Sequence, residues 1–322
     1  MSEIASLILP LFGLIFLGYV AARITKQPAE AMGWLNTFII YAALPALFFK
    51  LLSKTPVEKL ASWDFVAANL SVTFTIFLIV YCISKILLRA RMPEATIQGL
   101  AAAYGNIGYM GPALAILTFG EQAAVPVALI FCFENVMHFT IAPTMMALSG
   151  DEKRGFGLLL SDIAKKVFLH PFIIATIIGV AAAITGIQPP KPVAGLIDYL
   201  AQAAAPCALF AMGVSLALRP LKRMPIELVY IVPANLVIHP VLMYVTLSWV
   251  GDFDPIWTYT AVLLAALPTA TNVFVIAQQY GIWIERASAS ILVNTVLSIL
   301  TLAALLYGIT SGYLPADLFV NK

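Results

Sequence analysis

Tyr104-Gly105-Asn106-Ile107-Gly108-Tyr109-Met110-Gly111-Pro112 sets three glycines and one proline within eight residues, inside an apolar stretch from about 94 to 119. Leu267-Pro268-Thr269-Ala270-Thr271-Asn272-Val273 likewise puts a proline among three small polar side chains, inside an apolar stretch from about 256 to 280. Proline lacks a backbone N–H and clashes with the preceding turn, and glycine lowers the cost of leaving helical geometry, so both stretches read as helices broken near their middles. Bare backbone at membrane depth is tolerated only against protein or beside a wet cavity. The two breaks therefore point to interrupted helices that cross near the bilayer midplane with half-helix N-termini turned into one cavity, where partial positive charge and free N–H groups suit a carboxylate. Kinks that serve packing alone are the alternative, because glycine and proline are frequent in membrane helices.

The rest of the chain agrees with a membrane setting. Of 322 residues, 61% are apolar and 11% charged, against roughly 45 to 50% and about 25% in soluble domains. Mean hydropathy is +0.96. These values exclude a soluble enzyme, a nucleic-acid reader and a disordered tail. The net charge of +2 carries little information, since placement of Lys and Arg matters more than their sum. Cys82, Cys132 and Cys207 are solitary inside apolar stretches and read as small hydrophobes, with neither a disulfide framework nor a metal site expected. Met1-Ser2-Glu3 offers no cationic leader, so the apolar run after it reads as a first transmembrane helix.

Spans long enough for the hydrocarbon core fall at approximately 4–24, 33–53, 64–88, 94–119, 122–147, 166–186, 194–218, 226–250, 256–280 and 284–309, ten in all. Thirteen Lys and Arg follow odd-numbered spans and five lie on the other side, which predicts both termini outside the cytoplasm. An internal repeat is also visible. Pro10 and Gly18 recur 161 residues later as Pro171 and Gly179, and Ala42-Ala43-Leu44-Pro45 with Phe49 recurs as Ala203-Ala204-Ala205-Pro206 with Phe210. Val66-Ala67-Ala68-Asn69-Leu70 resembles Val232-Pro233-Ala234-Asn235-Leu236, and Phe119-Gly120 matches Tyr280-Gly281. Five spans per copy is odd, so the copies enter from opposite faces, an inverted repeat. The expected organisation is a first five-helix repeat over 1–149, a cytoplasmic linker over 150–160, and a second, inverted repeat over 161–322.

Asn106, Tyr109, Thr269, Thr271 and Asn272 are the polar groups that the breaks would offer a ligand; helix–helix hydrogen bonding is the other use for such side chains. Ionisable residues inside spans are functional hypotheses by default. Glu134, with His138 one turn later, could relay protons or balance a substrate's charge, or could be a protonated carboxyl bonded to a neighbouring helix. His170 and His239 each precede a proline and read as structural or interfacial. Asp198 reads as reaching headgroups or water, and Lys50 as snorkelling from its helix end. Asn135 and Asn294 sit at comparable depths in the fifth and tenth spans, where they could line the cavity or pack helices. No HExxH, GxSxG or GxxxxGK[ST] motif is present, so neither an enzyme, a cofactor nor an ATP-driven pump is indicated.

Ala43-Leu44-Pro45-Ala46-Leu47-Phe48-Phe49, Gly105 to Pro112, Ala266-Leu267-Pro268 through Gln279-Tyr280-Gly281, and Leu292-Val293-Asn294-Thr295-Val296-Leu297-Ser298 together resemble the auxin efflux carrier family over essentially the whole chain. The resemblance implies an all-α membrane protein with ten spans in two inverted five-helix repeats and broken, crossing fourth and ninth helices, a fold similar to the bile-acid sodium symporters. It implies a scaffold of helices 1, 2, 6 and 7, a mobile transport domain of helices 3–5 and 8–10, and elevator-type alternating access. Asn106, Tyr109, Pro112 and the segment 268–273, with Pro268, would surround the anion. Asp64 is similar to an acidic residue that plant members keep at the start of the third span. Two features depart from the plant pattern: Val273 stands where the crossover proline is usual, and the central loop is short.

The expectation is thus a secondary transporter of a small organic anion such as malonate, malate or an auxin-like acid, in a cytoplasmic membrane. Asp64, Glu134, Asn135, His138 and Asn294 are candidates for coupling or cavity lining, with H+ or Na+ as the coupling ion and no resident cofactor. Membrane lipids surround it, a homodimer is compatible with its small-residue helix faces, and nucleic acid is not a partner. A sodium-coupled bile-acid-type symporter and a channel or receptor without turnover are the alternatives.

Overall fold

Prolines, glycines and polar caps punctuate the apolar stretches into helices. The computed structural model describes residues 2–55, 62–150, 157, 161, 164–165, 168–218 and 224–319. Most of the expected 150–160 linker lies outside the described residues, as do Lys59, Lys153, Arg154, Lys166, Arg219, Lys222, Arg223 and Lys322 of the charge asymmetry. In chain order the helices are α1 (Ser2–Thr25), α2 (Glu30–Leu52), α3 (Trp63–Ile86), α4 (Met92–Ala103), α5 (Met110–Phe119), α6 (Glu121–Leu148), α7 (Pro171–Thr185), α8 (Lys191–Leu218), α9 (Leu228–Val250), α10 (Pro255–Ala265), α11 (Thr271–Tyr280) and α12 (Ile284–Thr310). Among the described residues the chain forms no strand beyond an isolated antiparallel bridge between Gly105 and Thr269. Six helices, α2, α3, α6, α8, α9 and α12, are long and apolar enough to cross a membrane, while Leu9–Thr25 within α1, and α5, α7 and α10, are shorter apolar segments.

Local chemistry explains the ends. His170 caps α7 through its Nδ1, which accepts from the Phe172 N–H, and Pro171 occupies the first helical position. Helix α7 therefore begins at Pro171, the expected start of the sixth span at 166 lies outside the described residues, and Gly186 ends the helix at φ +69°, a left-handed conformation that glycine adopts without strain. Asp254 caps α10 with its carboxylate on the Ile256 N–H at 2.8 Å. Inside α2 and α9 the backbone widens into π-helical turns at Ile39–Ala43 and Ala234–Ile238. Each turn lies just before a proline, Pro45 or Pro240, whose missing N–H breaks the regular ladder.

The described chain divides into two compact units. One contains residues Met1–Ser62, Tyr109–Leu129 and Phe168–Arg219. Its α1 and α8 approach closely because glycines face backbone: a Cβ on Gly18 would overlap the Phe210 carbonyl oxygen, and one on Gly213 would overlap that of Ile15. Its α2 and α7 meet in the same way, with Gly179 against Phe49 and Leu52. Gly18 with Phe210 and Gly179 with Phe49 are the two crosswise pairings of the residues that recur at an offset of 161. Gly13, by contrast, faces open space within the chain. Lys50 and Asp198, read singly as snorkelling and headgroup-reaching, are partners here, with Nζ to Oδ1 at 2.8 Å. Helix α5 packs on α1 and α8, which is why the second half of the fourth span belongs to this unit, whereas the resemblance assigns that whole helix to the mobile domain.

The other unit contains Trp63–Gly108, Ile130–Val167 and Pro220–Lys322. Here α3 lies against α4 and α9, and α9 against α10. Gly99 lets α4 settle on α3, since a Cβ there would lie 2.8 Å from the Phe77 ring. Phe65 packs edge-on to Trp257 and Phe253, with ring centres 4.9 and 5.6 Å away. Residues after α12 are tied back onto the unit by the hydroxyls of Tyr244, which donates to the Pro315 carbonyl, and Tyr259, which donates to that of Leu314.

Candidate functional site

The second unit brings both sequence breaks together. Helix α4 stops at Tyr104, where the backbone turns to φ −89° and ψ 88°. Helix α10 stops before Leu267-Pro268, and α11 resumes at Thr271 after an extended Ala270. Between these ends the two chains pair in antiparallel fashion: Asn106 N–H donates to the Pro268 carbonyl and Ala270 N–H to the Tyr104 carbonyl, both at 2.8 Å. A helix C-terminus leaves its last four carbonyls without intrahelical partners, and when buried they must be satisfied elsewhere. The accounting for α4 nearly closes across the unit. Ala101 O accepts from the Thr269 hydroxyl, Ala102 O from Asn235 Nδ2 at 2.8 Å, and Tyr104 O from Ala270.

Two asparagines secure this junction from the flanking helices. Asn135 on α6 accepts the Tyr104 hydroxyl proton and donates Nδ2 to the Phe131 carbonyl at 2.7 Å. Asn294 on α12 donates Nδ2 to Thr269 Oγ1 at 2.9 Å. Each asparagine thus bonds the polar residue beside one break. Tyr104 was not expected at the site, yet it is the hub. Its ring is stacked parallel on His138 at 4.0 Å between centres, and its hydroxyl also accepts from Asn272 Nδ2 at 2.7 Å. One O–H proton given to Asn135 and one lone pair taken by Asn272 is the stoichiometry a phenol allows.

The other sequence candidates are distributed as follows. Thr269 is fully buried, with its proton and one lone pair committed. Thr271 and Asn272 are half-buried at the first turn of α11, whose N-terminus has no side-chain cap. Asn106 is 2% exposed, and its backbone completes the bridge. Pro268 supplies a carbonyl to that bridge. Tyr109 and Pro112, at the start of α5, are part of the first unit. Asp64 is exposed in the first turn of α3.

Glu134 and His138 are both buried on α6, at 3% and 0% exposure. Thr73 on α3 donates its hydroxyl to Glu134 Oε1 at 2.9 Å and lies 3.3 Å from His239 Nε2 on α9. His239, read from its Pro240 neighbour as structural, therefore joins the ionisable cluster. An ionisable side chain mid-span was the available signal. Asn235 was legible only as a repeat marker, and its bond to Ala102 could not be read from spacing.

The profile of a family described as "Membrane transport protein" matches residues 4–306. A protein of Rhizobium meliloti (strain 1021) named "Putative malonate transporter" is 63% identical, over 99% of this chain and 100% of its own length. An "Uncharacterized transporter" of Methanothermobacter thermautotrophicus is 25% identical, over 92% of this chain and 95% of its own. The "Lysosomal cholesterol signaling protein" of Mus musculus is 25% identical over 90% of this chain, which corresponds to 36% of that longer protein.

Proposed function

Because the chain belongs to this membrane transport family, that of the auxin efflux carriers, we propose that it is a secondary transporter of a small organic anion, with a short dicarboxylate such as malonate as the first substrate to test. It is a multi-pass membrane protein. The observation that carries the anion reading is the paired junction at Gly105 and Thr269, beside which α11 presents an uncapped N-terminus carrying Thr271 and Asn272. N–H groups at a helix start and neutral amides bind carboxylates without placing a fixed charge in the membrane. The likeness to a protein named for malonate supports the substrate class.

Ten spans are the reading that best joins six long helices to the shorter ones. A ten-residue half-helix such as α5 or α11 rises about 15 Å, so two halves and a break cover about 30 Å of hydrocarbon. The crosswise Gly18–Phe210 and Gly179–Phe49 contacts, and the matched roles of Asn135 and Asn294, support an inverted repeat. Two separately compact units supply the bodies that an elevator cycle requires, with unit one as scaffold. A cytoplasmic membrane with both termini outside, and a homodimer, complete the proposal.

Counterflow in proteoliposomes tests it. Malonate, malate, other short carboxylates, indole-3-acetate and taurocholate are exchanged against preloaded unlabelled anion, with and without Na+. Saturable exchange of a short carboxylate is expected. Exchange of taurocholate alone and only with Na+ would replace this reading with a bile-acid-type symporter. No exchange by folded protein would point to a channel or receptor.

A further inference from the structure

Thr73 sits between a carboxyl and an imidazole, and it has one proton to give. Its Oγ1 is 2.9 Å from Glu134 Oε1 and 3.3 Å from His239 Nε2. All three side chains are buried, at 0%, 3% and 1% exposure for Thr73, Glu134 and His239. Two hydrogen-bond arrangements satisfy this geometry, and they differ by one proton. In the first, Glu134 is ionised, the Thr73 hydroxyl donates to Oε1, and Nε2–H of His239 donates to Thr73 Oγ1. In the second, the Glu134 carboxylic O–H donates to Thr73 Oγ1, the Thr73 hydroxyl donates to Nε2, and His239 carries its proton on Nδ1.

The conversion balances atom by atom. A proton arrives at Nδ1, Nε2 passes its own proton to the Thr73 oxygen, and the former Thr73 hydroxyl proton moves to Glu134. The imidazole is neutral at both ends and changes only its tautomer. His239 Nδ1 is buried without a hydrogen-bond partner, as expected of the atom at which the chain of transfers opens.

We infer that Glu134, Thr73 and His239 form a proton-binding site, and that one proton held there accompanies each organic anion. The coupling rests on the transport reading above; the proton site rests on the cluster itself. The titratable groups facing Glu134 from the surrounding elements are His239 on α9, His138 on α6 itself and Tyr104 at the end of α4. Among the described residues no cation is ion-paired with the carboxyl. Charge on Glu134 is therefore relieved by a proton, since an unpaired carboxylate at membrane depth is costly. Its link to the anion runs through His138, stacked on Tyr104, whose hydroxyl accepts from Asn272. An ionised Glu134 opposes a second negative charge in the same low-dielectric unit, so anion binding favours the protonated form and, by linkage, protonation favours anion binding.

The test uses the full chain in proteoliposomes, with the membrane potential held at zero by valinomycin and equal K+. Malonate is the probe. Counterflow at equal pH on both sides reports the carrier alone. With the outside one pH unit more acid, wild-type protein is expected to accumulate malonate about tenfold above protein-free liposomes. Glu134→Gln, which imitates the protonated carboxyl, is expected to keep counterflow and lose accumulation. Thr73→Val interrupts the transfer and is expected to lose accumulation too, whereas Thr73→Ser retains it. Accumulation that persists in Glu134→Gln overturns the proposal. Absent counterflow in the wild type would defeat the transport reading instead, and the proton site is then decided by infrared difference spectroscopy across a pH titration. A protonated-carboxyl C=O band that is missing in Glu134→Gln and shifted in Thr73→Val is expected. Identical spectra for wild type and Glu134→Gln overturn the site.

Discussion

Replacing Thr269 by valine keeps the shape of the side chain and removes one hydroxyl. That hydroxyl donates to Ala101 O and accepts from Asn294 Nδ2, and Thr269, Ala101 and Asn294 are all fully buried. Water cannot replace the lost partners, so a terminal carbonyl of α4 and an amide of α12 are stranded together. A buried polar group without a partner costs about 1 to 3 kcal/mol. Inside a membrane the penalty is lower, with interhelical hydrogen bonds averaging about 0.6 and reaching about 1.7 kcal/mol, because the unfolded reference state finds other partners. Two such bonds give about 1 to 3 kcal/mol, which for a chain of 322 residues corresponds to a fall in Tm of about 1 to 5 °C. Thr269→Ser restores the hydroxyl and is expected to recover most of the loss. Thermal unfolding in detergent micelles measures both variants, and amide exchange over 104–108 localises the effect. A valine variant that melts with the wild type and protects those amides equally would refute the assignment of Thr269 to the junction and return its hydroxyl to the ligand.

Three further outcomes are expected. Thr271→Asp places a carboxylate in the first turn of α11, where it suits the helix end but repels an anion; the fold should persist while the half-saturating malonate concentration in counterflow rises about tenfold or more, a shift of about 1.4 kcal/mol, and unchanged affinity would remove this N-terminus from the site. Gly213→Ala drives a methyl into the Ile15 carbonyl, so α1 and α8 must separate, and a loss of about 1 to 3 kcal/mol is expected in the same melting assay; equal Tm values would contradict the close approach. Asp198→Asn breaks the pair with Lys50, but side-chain exposures of 24% and 49% leave it screened, so a Tm close to that of the wild type is expected, and a large destabilisation would mean that the pair is shielded from solvent in the membrane.

What was legible in the sequence was local in origin. Hydropathy averaged over a span reports its preference for lipid, and the clusters Gly105 to Pro112 and Pro268 to Asn272 report where a helix ladder cannot continue. Both breaks lie where those residues put them, and the family profile agrees with the resemblance read from the same motifs. The Asn135 and Asn294 pair was found by depth, although spacing gave no means to choose between lining a cavity and bonding a neighbour.

Partnership across the chain was decided only in the tertiary structure. Thr73 meets His239 across 166 positions, Asn272 meets Tyr104 across 168, and Lys50 meets Asp198 on another helix. A hydrogen bond depends on which faces two helices turn to each other and at what height, and no residue's neighbours in sequence specify either. Tyr104 read as an ordinary aromatic at the edge of a break, and His239 as the residue before a proline; burial against α6 and α3 made one a hub and set the other beside Thr73. The amino-acid order determined where helices stop, because proline and glycine act on their own backbone. Which buried groups then satisfy one another was settled by packing, because inside a membrane each polar group must find its partner in protein.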